Sequence, residues 1–149
     1  MTPQELSDRA EIHDVLVRYC HAVDQRQWSV FEVLFAEDAI LDYTAFGGPR
    51  CGAKEMSIYL NSTLDSVQGS QHTISTSLVE IAGDMATARS AAQVMMIATD
   101  GACGTCVTFI GLWYRDALIR SPTGWRIRER VQEHSWVHNA PPSLEFGTS

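Results

Sequence analysis

The chain has 149 residues, 45% of them hydrophobic and 19% charged, and a formal net charge of −7. That is the length and make-up of one globular domain with a core of its own. The acidic balance argues against a nucleic-acid partner or an anionic membrane surface, which need basic patches, and fits a small-molecule substrate.

The opening MTPQELSDRAE has neither a basic start nor an apolar run. No signal peptide is expected, no stretch reaches membrane-span length, and the expected compartment is the cytoplasm. Thr2 and Glu5 have capping-box spacing, and Pro3 suits the first helical position. Ile12, Leu16, Tyr19 and Val23 recur at helical spacing beside a stripe of His13, Val17, Cys20 and Asp24. The pattern predicts one amphipathic helix over residues 3–24. Ser29 and Glu32 repeat the capping spacing and, with Trp28, Phe31, Leu34 and Phe35, predict a short second helix. AILDYTAF (39–46) reads as a strand that Gly47, Gly48 and Pro49 end, and residues 52–64 read as a third helix.

From His72 the period changes. HTISTSLVEI alternates, AGD turns and MATARSAAQVMMIA follows, a hairpin turning at Gly83-Asp84. CVTFIGLWYRDALIR and GWRIRERVQEHSWV read as two more strands joined by SPTG. The tail HNAPPSLEFGTS is expected to lie over the surface or over a neighbour. Helices first and antiparallel strands after is α+β order: a curved sheet with helices on one face, in a single domain over residues 1–149.

The four cysteines include a C-x-x-C at 103–106. It has no second ligand pair and leads into a strand, so it reads as reduced thiols rather than zinc or redox chemistry. The histidines form no H-x-H or H-E-x-x-H, so no metal is expected. His13 and His21 read as rim residues. His134 and His138 alternate with Ser135 and Val137, which puts them on one face with Trp136. Arg128 and Arg130 share a face by alternation unless a bulge intervenes. Asp24 sits where the first helix ends, and a carboxylate there opposes the helix dipole by about 0.3–1 kcal/mol. It is therefore either solvated or paired. His72, in GSQHTISTS, is either a strand-end polar residue or a proton-transfer group.

The order and spacing of VLVRYCHAVDQRQWSVFEVLFAEDAILDY, a glycine-bearing loop, QHTIS, GDMATA, GLWYRDALIR and GWRIRER resemble the NTF2-like superfamily, in its SnoaL-like and scytalone-dehydratase-like branch, over residues 5–138. The resemblance implies a cone-shaped fold in which a curved antiparallel sheet and about three N-terminal helices enclose a pocket. It implies an Asp–His dyad of Asp24 and His72, with Tyr43 polarising the substrate and Tyr19 as a further polar donor. Met96 is expected to fill space in the pocket, Trp113 and Phe109 to form an aromatic wall, and Arg128 to offer the basic contact found on this strand in dehydrochlorinases. The branch's second active-site histidine is missing from QVMMIA, and its strand asparagine and serine fall at Ile110 and Thr108. Its tyrosine before the acid is Val23. Scytalone itself is therefore not the expected substrate, and the pocket should be more apolar.

The chemistry so implied is a lyase reaction without metal or organic cofactor: a dehydratase-like elimination on a small apolar cyclic or polyketide-like molecule. Histidine titrates near neutrality and serves as the base, while a buried acid fixes its tautomer and stabilises the imidazolium. Two alternatives stand beside it. One is a polyketide cyclase or isomerase using the same pocket. The other is a non-catalytic binding or association domain, in which the dyad does not meet or side chains fill the pocket. The branch assembles through its sheet, so a homo-oligomer, trimer or dimer, is expected.

Overall fold

The computed structural model describes residues 1–100 and 104–140. Cys103, which opens the C-x-x-C, and the tail from residue 141 lie outside the described residues.

The first helix, α1, runs Pro3–Asp24 behind the expected capping box. The Thr2 hydroxyl accepts from the Glu5 N–H at 3.1 Å, and the Glu5 carboxylate accepts from the Thr2 N–H at 2.7 Å. Ile12, Leu16, Tyr19 and Val23 are all at most 1% exposed, so the whole predicted stripe is core. The second helix, α2, spans Trp28–Val33 with Gln27 at its N-cap and no side-chain cap. Ser29 thus lies inside the first turn instead of capping it. Glu32 accepts from the Ser57 hydroxyl at 2.9 Å and ties α2 to the third helix, α3, at Ala53–Thr63.

The first strand, β1, covers Phe35–Asp42, earlier than the 39–46 expected from composition. It ends where the Asp42 carboxylate accepts the Thr44 N–H at 3.0 Å and the Thr44 hydroxyl at 2.6 Å. This turn takes Tyr43 out of the strand and into the interior. A two-residue β2, Arg50–Cys51, pairs with β1. Four long strands follow: β3 Val67–Ala82, β4 Met85–Asp100, β5 Gly104–Ser121 and β6 Gly124–His138. The β3–β4 hairpin turns at Gly83, whose φ of 63° supplies the positive first turn position that matches strand twist.

The sheet order is β2-β1-β6-β5-β4-β3. All pairs are antiparallel except β1 with β6, which is parallel, with Phe35 opposite Ile127. α1 packs against β3 and β6. At its start, the Asp8 carboxylate receives the Arg120 guanidinium at 2.6 and 2.8 Å and the Trp125 indole N–H at 3.0 Å.

Two bulges in β6 break the alternation read from sequence. Ala117 lies opposite Glu129 and Leu118 opposite Ile127, leaving Arg128 as the extra residue. Arg128 and Arg130 therefore do not share a face. Arg128 turns to solvent and pairs with Asp38 at 3.0 Å, whereas Arg130 is fully buried. Leu112 lies opposite His134 and Gly111 opposite Trp136, which leaves Ser135 extra. His134 then approaches the Phe46 ring at 5.3 Å, while Trp136 covers Gly111. A Cβ on residue 111 would come within 2.1 Å of that indole, so glycine is what allows the ring to lie there.

Candidate active site

Asp24 is the last residue of α1, where the chain leaves the helix through Arg26 at a φ of 57°. The Arg26 guanidinium donates to the Val23 carbonyl at 2.7 Å and to the Ser70 hydroxyl at 3.2 Å. Ser70 in turn donates to Asp24 Oδ1 at 3.0 Å. His72 meets the same carboxylate twice: its backbone N–H donates to Oδ2 at 2.7 Å, and its ring Nδ1 lies 2.6 Å from Oδ1. An ionised carboxylate only accepts, so Nδ1 carries the hydrogen, and in the neutral ring Nε2 is left with the lone pair. Burial alone pushes the Asp24 pKa up. The His72 ring, the His72 N–H and the Ser70 hydroxyl together outweigh that and hold the carboxyl below its ordinary value of 3.8. The two side chains are only 10% (His72) and 17% (Asp24) exposed.

His72 borders a cavity of about 110 Å³ between the helices and the concave side of the sheet. Val23, Val94, Met96, Ile110 and Leu112 make its walls largely apolar. Tyr19, Tyr43 and Tyr114 also line it. The Tyr19 and Tyr43 hydroxyls hydrogen-bond at 2.5 Å. The Tyr114 ring stands edge-on to Tyr19 at 5.6 Å. Burial raises the pKa of all three phenols, which keeps them protonated and able to donate. The Arg130 guanidinium lies 4.1 Å from both the Tyr19 and Tyr114 rings. Burial disfavours its charge, but Asp116, at 2.7 and 2.8 Å, more than restores it.

Of the residues proposed from sequence, His72, Tyr19, Tyr43 and Met96 line the cavity, and Asp24 holds His72. Three do not reach it. On β5 the inward residues are Thr108, Ile110, Leu112 and Tyr114, so the odd-numbered Phe109 and Trp113 face the other way. Phe109 is 38% exposed, and Trp113 lies under the Arg89 guanidinium at 4.4 Å. Arg128 is held at the surface by its bulge and Asp38. Ser70, Tyr114 and Arg130 were not singled out for the site from sequence. Parity had a signal for two of them: Ser70 is two residues before His72, and Tyr114 is two beyond Leu112. Among the described residues no cluster of three or more His, Cys, Asp or Glu could hold a metal ion, and no helix is long and apolar enough to cross a membrane.

An imidazole held by a carboxylate and facing an apolar cavity lined by tyrosines is equipped, in its neutral form, to take a proton from carbon. The sequence matches the SnoaL-like domain over residues 4–131. The chain belongs to the SnoaL-like family. This SnoaL-like chain is 36% identical over 129 residues to Rv2910c of Mycobacterium tuberculosis, covering 86% of each. Its structure is similar to that of a Novosphingobium aromaticivorans protein named provisionally as a scytalone dehydratase, at 17% identity and a TM-score of 0.83, over 95% of this chain and 93% of that one. It is also similar to hexachlorocyclohexane dehydrochlorinase (LinA) type 2, at 18% identity and a TM-score of 0.77, over 94% and 97% of the two chains. These likenesses establish the NTF2-like cone fold, with dehydratase-like proteins among the neighbours of this SnoaL-like domain.

Proposed function

We propose that the protein is a cofactor-independent lyase that performs a dehydratase-like elimination on a small, apolar, ring-bearing or polyketide-like molecule. The observation that carries the reading is the Asp24–His72 hydrogen bond at 2.6 Å beside an apolar cavity. His72 Nε2 takes a proton from carbon, the C–H electron pair becomes the new double bond, and the leaving group departs on the neighbouring carbon. Asp24 stabilises the imidazolium, which returns its proton to a departing oxygen. The hydrogen-bonded Tyr43 and Tyr19 polarise the substrate. The names of the two structural neighbours support elimination as the reaction class.

Product analysis after a screen of small hydroxylated and halogenated cyclic compounds tests this reading. Elimination releases water or halide. A product that keeps every atom of its substrate would move the same dyad to cyclisation or isomerisation, the second reading. A non-catalytic role has less support, because the dyad meets and side chains leave the cavity open. The outer sheet face exposes Ile97, Val107, Phe109 and Trp136, which supports self-association as a trimer or dimer, to be read by sedimentation.

A further inference from the structure

Several polar groups that line the cavity are already bonded to the protein. Tyr19 bonds Tyr43, His72 bonds Asp24, and the Thr63 hydroxyl donates to the Tyr59 carbonyl at 2.8 Å. Gln132 is different. It is half-buried on β6, borders the cavity, and its side-chain amide makes no hydrogen bond among the described residues. The inward residues before it on β6 are both accounted for by the fold: Ile127 is core, and Arg130 is held by Asp116. The walls that Gln132 shares are Val94, Ile110 and Leu112. A leucine or methionine at this position would match them and would leave no amide to lose its water when a ligand fills the space. A glutamine here opposes binding unless the ligand supplies a partner.

We infer that Gln132 is a specificity-determining residue, and that the substrate carries a hydroxyl, apart from the group that leaves, which the Gln132 amide holds. The inference rests on the reading of this cavity as the substrate site and narrows its substrate class. A primary amide offers a carbonyl acceptor beside N–H donors, and a hydroxyl both donates and accepts, so the two match. Among the described residues that line the cavity there is no Lys, Arg, Asp or Glu. No charged side chain there answers an ionised substituent, so the group that Gln132 takes is neutral. His72 stands on β3 and Gln132 on β6, with β4 and β5 between them. The reacting carbon and the second hydroxyl therefore occupy separate places on the substrate. An analogue without that hydroxyl leaves the amide unpaired against an apolar surface, which is how a polar contact rejects the less substituted molecule.

The test is an NMR titration with benzene-1,4-dimethanol and 4-methylbenzyl alcohol, single-ring probes that differ by one hydroxyl, and with 4-(hydroxymethyl)benzoate, which puts a charge in its place. Each is added to wild type, Gln132→Leu, Gln132→Met and His72→Ala, with a thermal melt of each protein. Wild type is expected to bind the diol at least about threefold more tightly than the mono-alcohol, with a shift of the Gln132 side-chain NH₂ resonances. The benzoate is expected to bind more weakly than the diol. Gln132→Leu and Gln132→Met are expected to lose the diol preference, bind the mono-alcohol at least as well, and melt near wild type. His72→Ala is expected to keep the preference, which separates this inference from the role of His72. A wild type that does not bind the diol, or binds both alcohols equally, overturns the inference. So does a Gln132 variant that keeps the full preference. Gln132 NH₂ resonances that stay in place as the diol binds overturn it too, and this reading holds whether or not a variant folds. Tighter binding of the benzoate than of the diol overturns the neutral assignment.

Discussion

Arg130 on β6 and Asp116 on β5 meet at 2.7 and 2.8 Å with both side chains at 0% exposure. The extra residue Arg128 shifts the strand by one position and turns Arg130 inward. Breaking a buried pair leaves the other charge uncompensated at a cost of about 3–5 kcal/mol. Arg130→Met is therefore expected to be strongly destabilised in denaturant unfolding. Replacing Asp116 by Leu in the same chain is expected to recover part of the loss, because it removes the stranded carboxylate. A double variant no more stable than Arg130→Met would contradict the pairing.

Asp24 serves the dyad at a cost in acid. Its carboxyl is held below 3.8 in the folded chain, so the unfolded chain binds the proton first as pH falls. The stability it contributes is complete above about 3.8 and is lost as pH drops through the lower folded value. Asp24→Asn is expected to show a shallower loss of stability below that pH, measured by urea midpoints across an acid series. Turnover is expected to fall by about 10²–10⁴ in the same variant, because the base loses its partner.

Asp8 joins the start of α1 to the β5–β6 end of the sheet through Arg120 and Trp125. Asp8→Asn removes the charge from both contacts. A lower melting temperature and shifted tryptophan emission are expected, with the substrate site unaltered. An unchanged melt would show that the helix is anchored by its apolar stripe alone.

The helical half of the fold was open to reading because its signals are local. The capping box and the stripe from Ile12 to Val23 lie within one segment. The parallel pairing of β1 was not, since Phe35 meets Ile127 from the far end of the chain. The bulges at Arg128 and Ser135 carry no mark in composition. Without them, strict alternation put Arg128 with Arg130 and His134 with Trp136, and both groupings fail. Phe109 and Trp113 were assigned to the pocket wall by residue type, although Ile110 on the same strand already set the opposite parity. Asp24 and His72 were legible through resemblance, since 48 residues separate them and neither has a local signature.

The most direct measurement is the turnover of His72→Ala on whichever hydroxylated or halogenated substrate the wild type consumes, with a thermal melt beside it. The melt is expected to stay near wild type and turnover to fall by about 10²–10⁴ or more. Near-wild-type turnover in a folded His72→Ala protein would contradict the dyad as the source of catalysis.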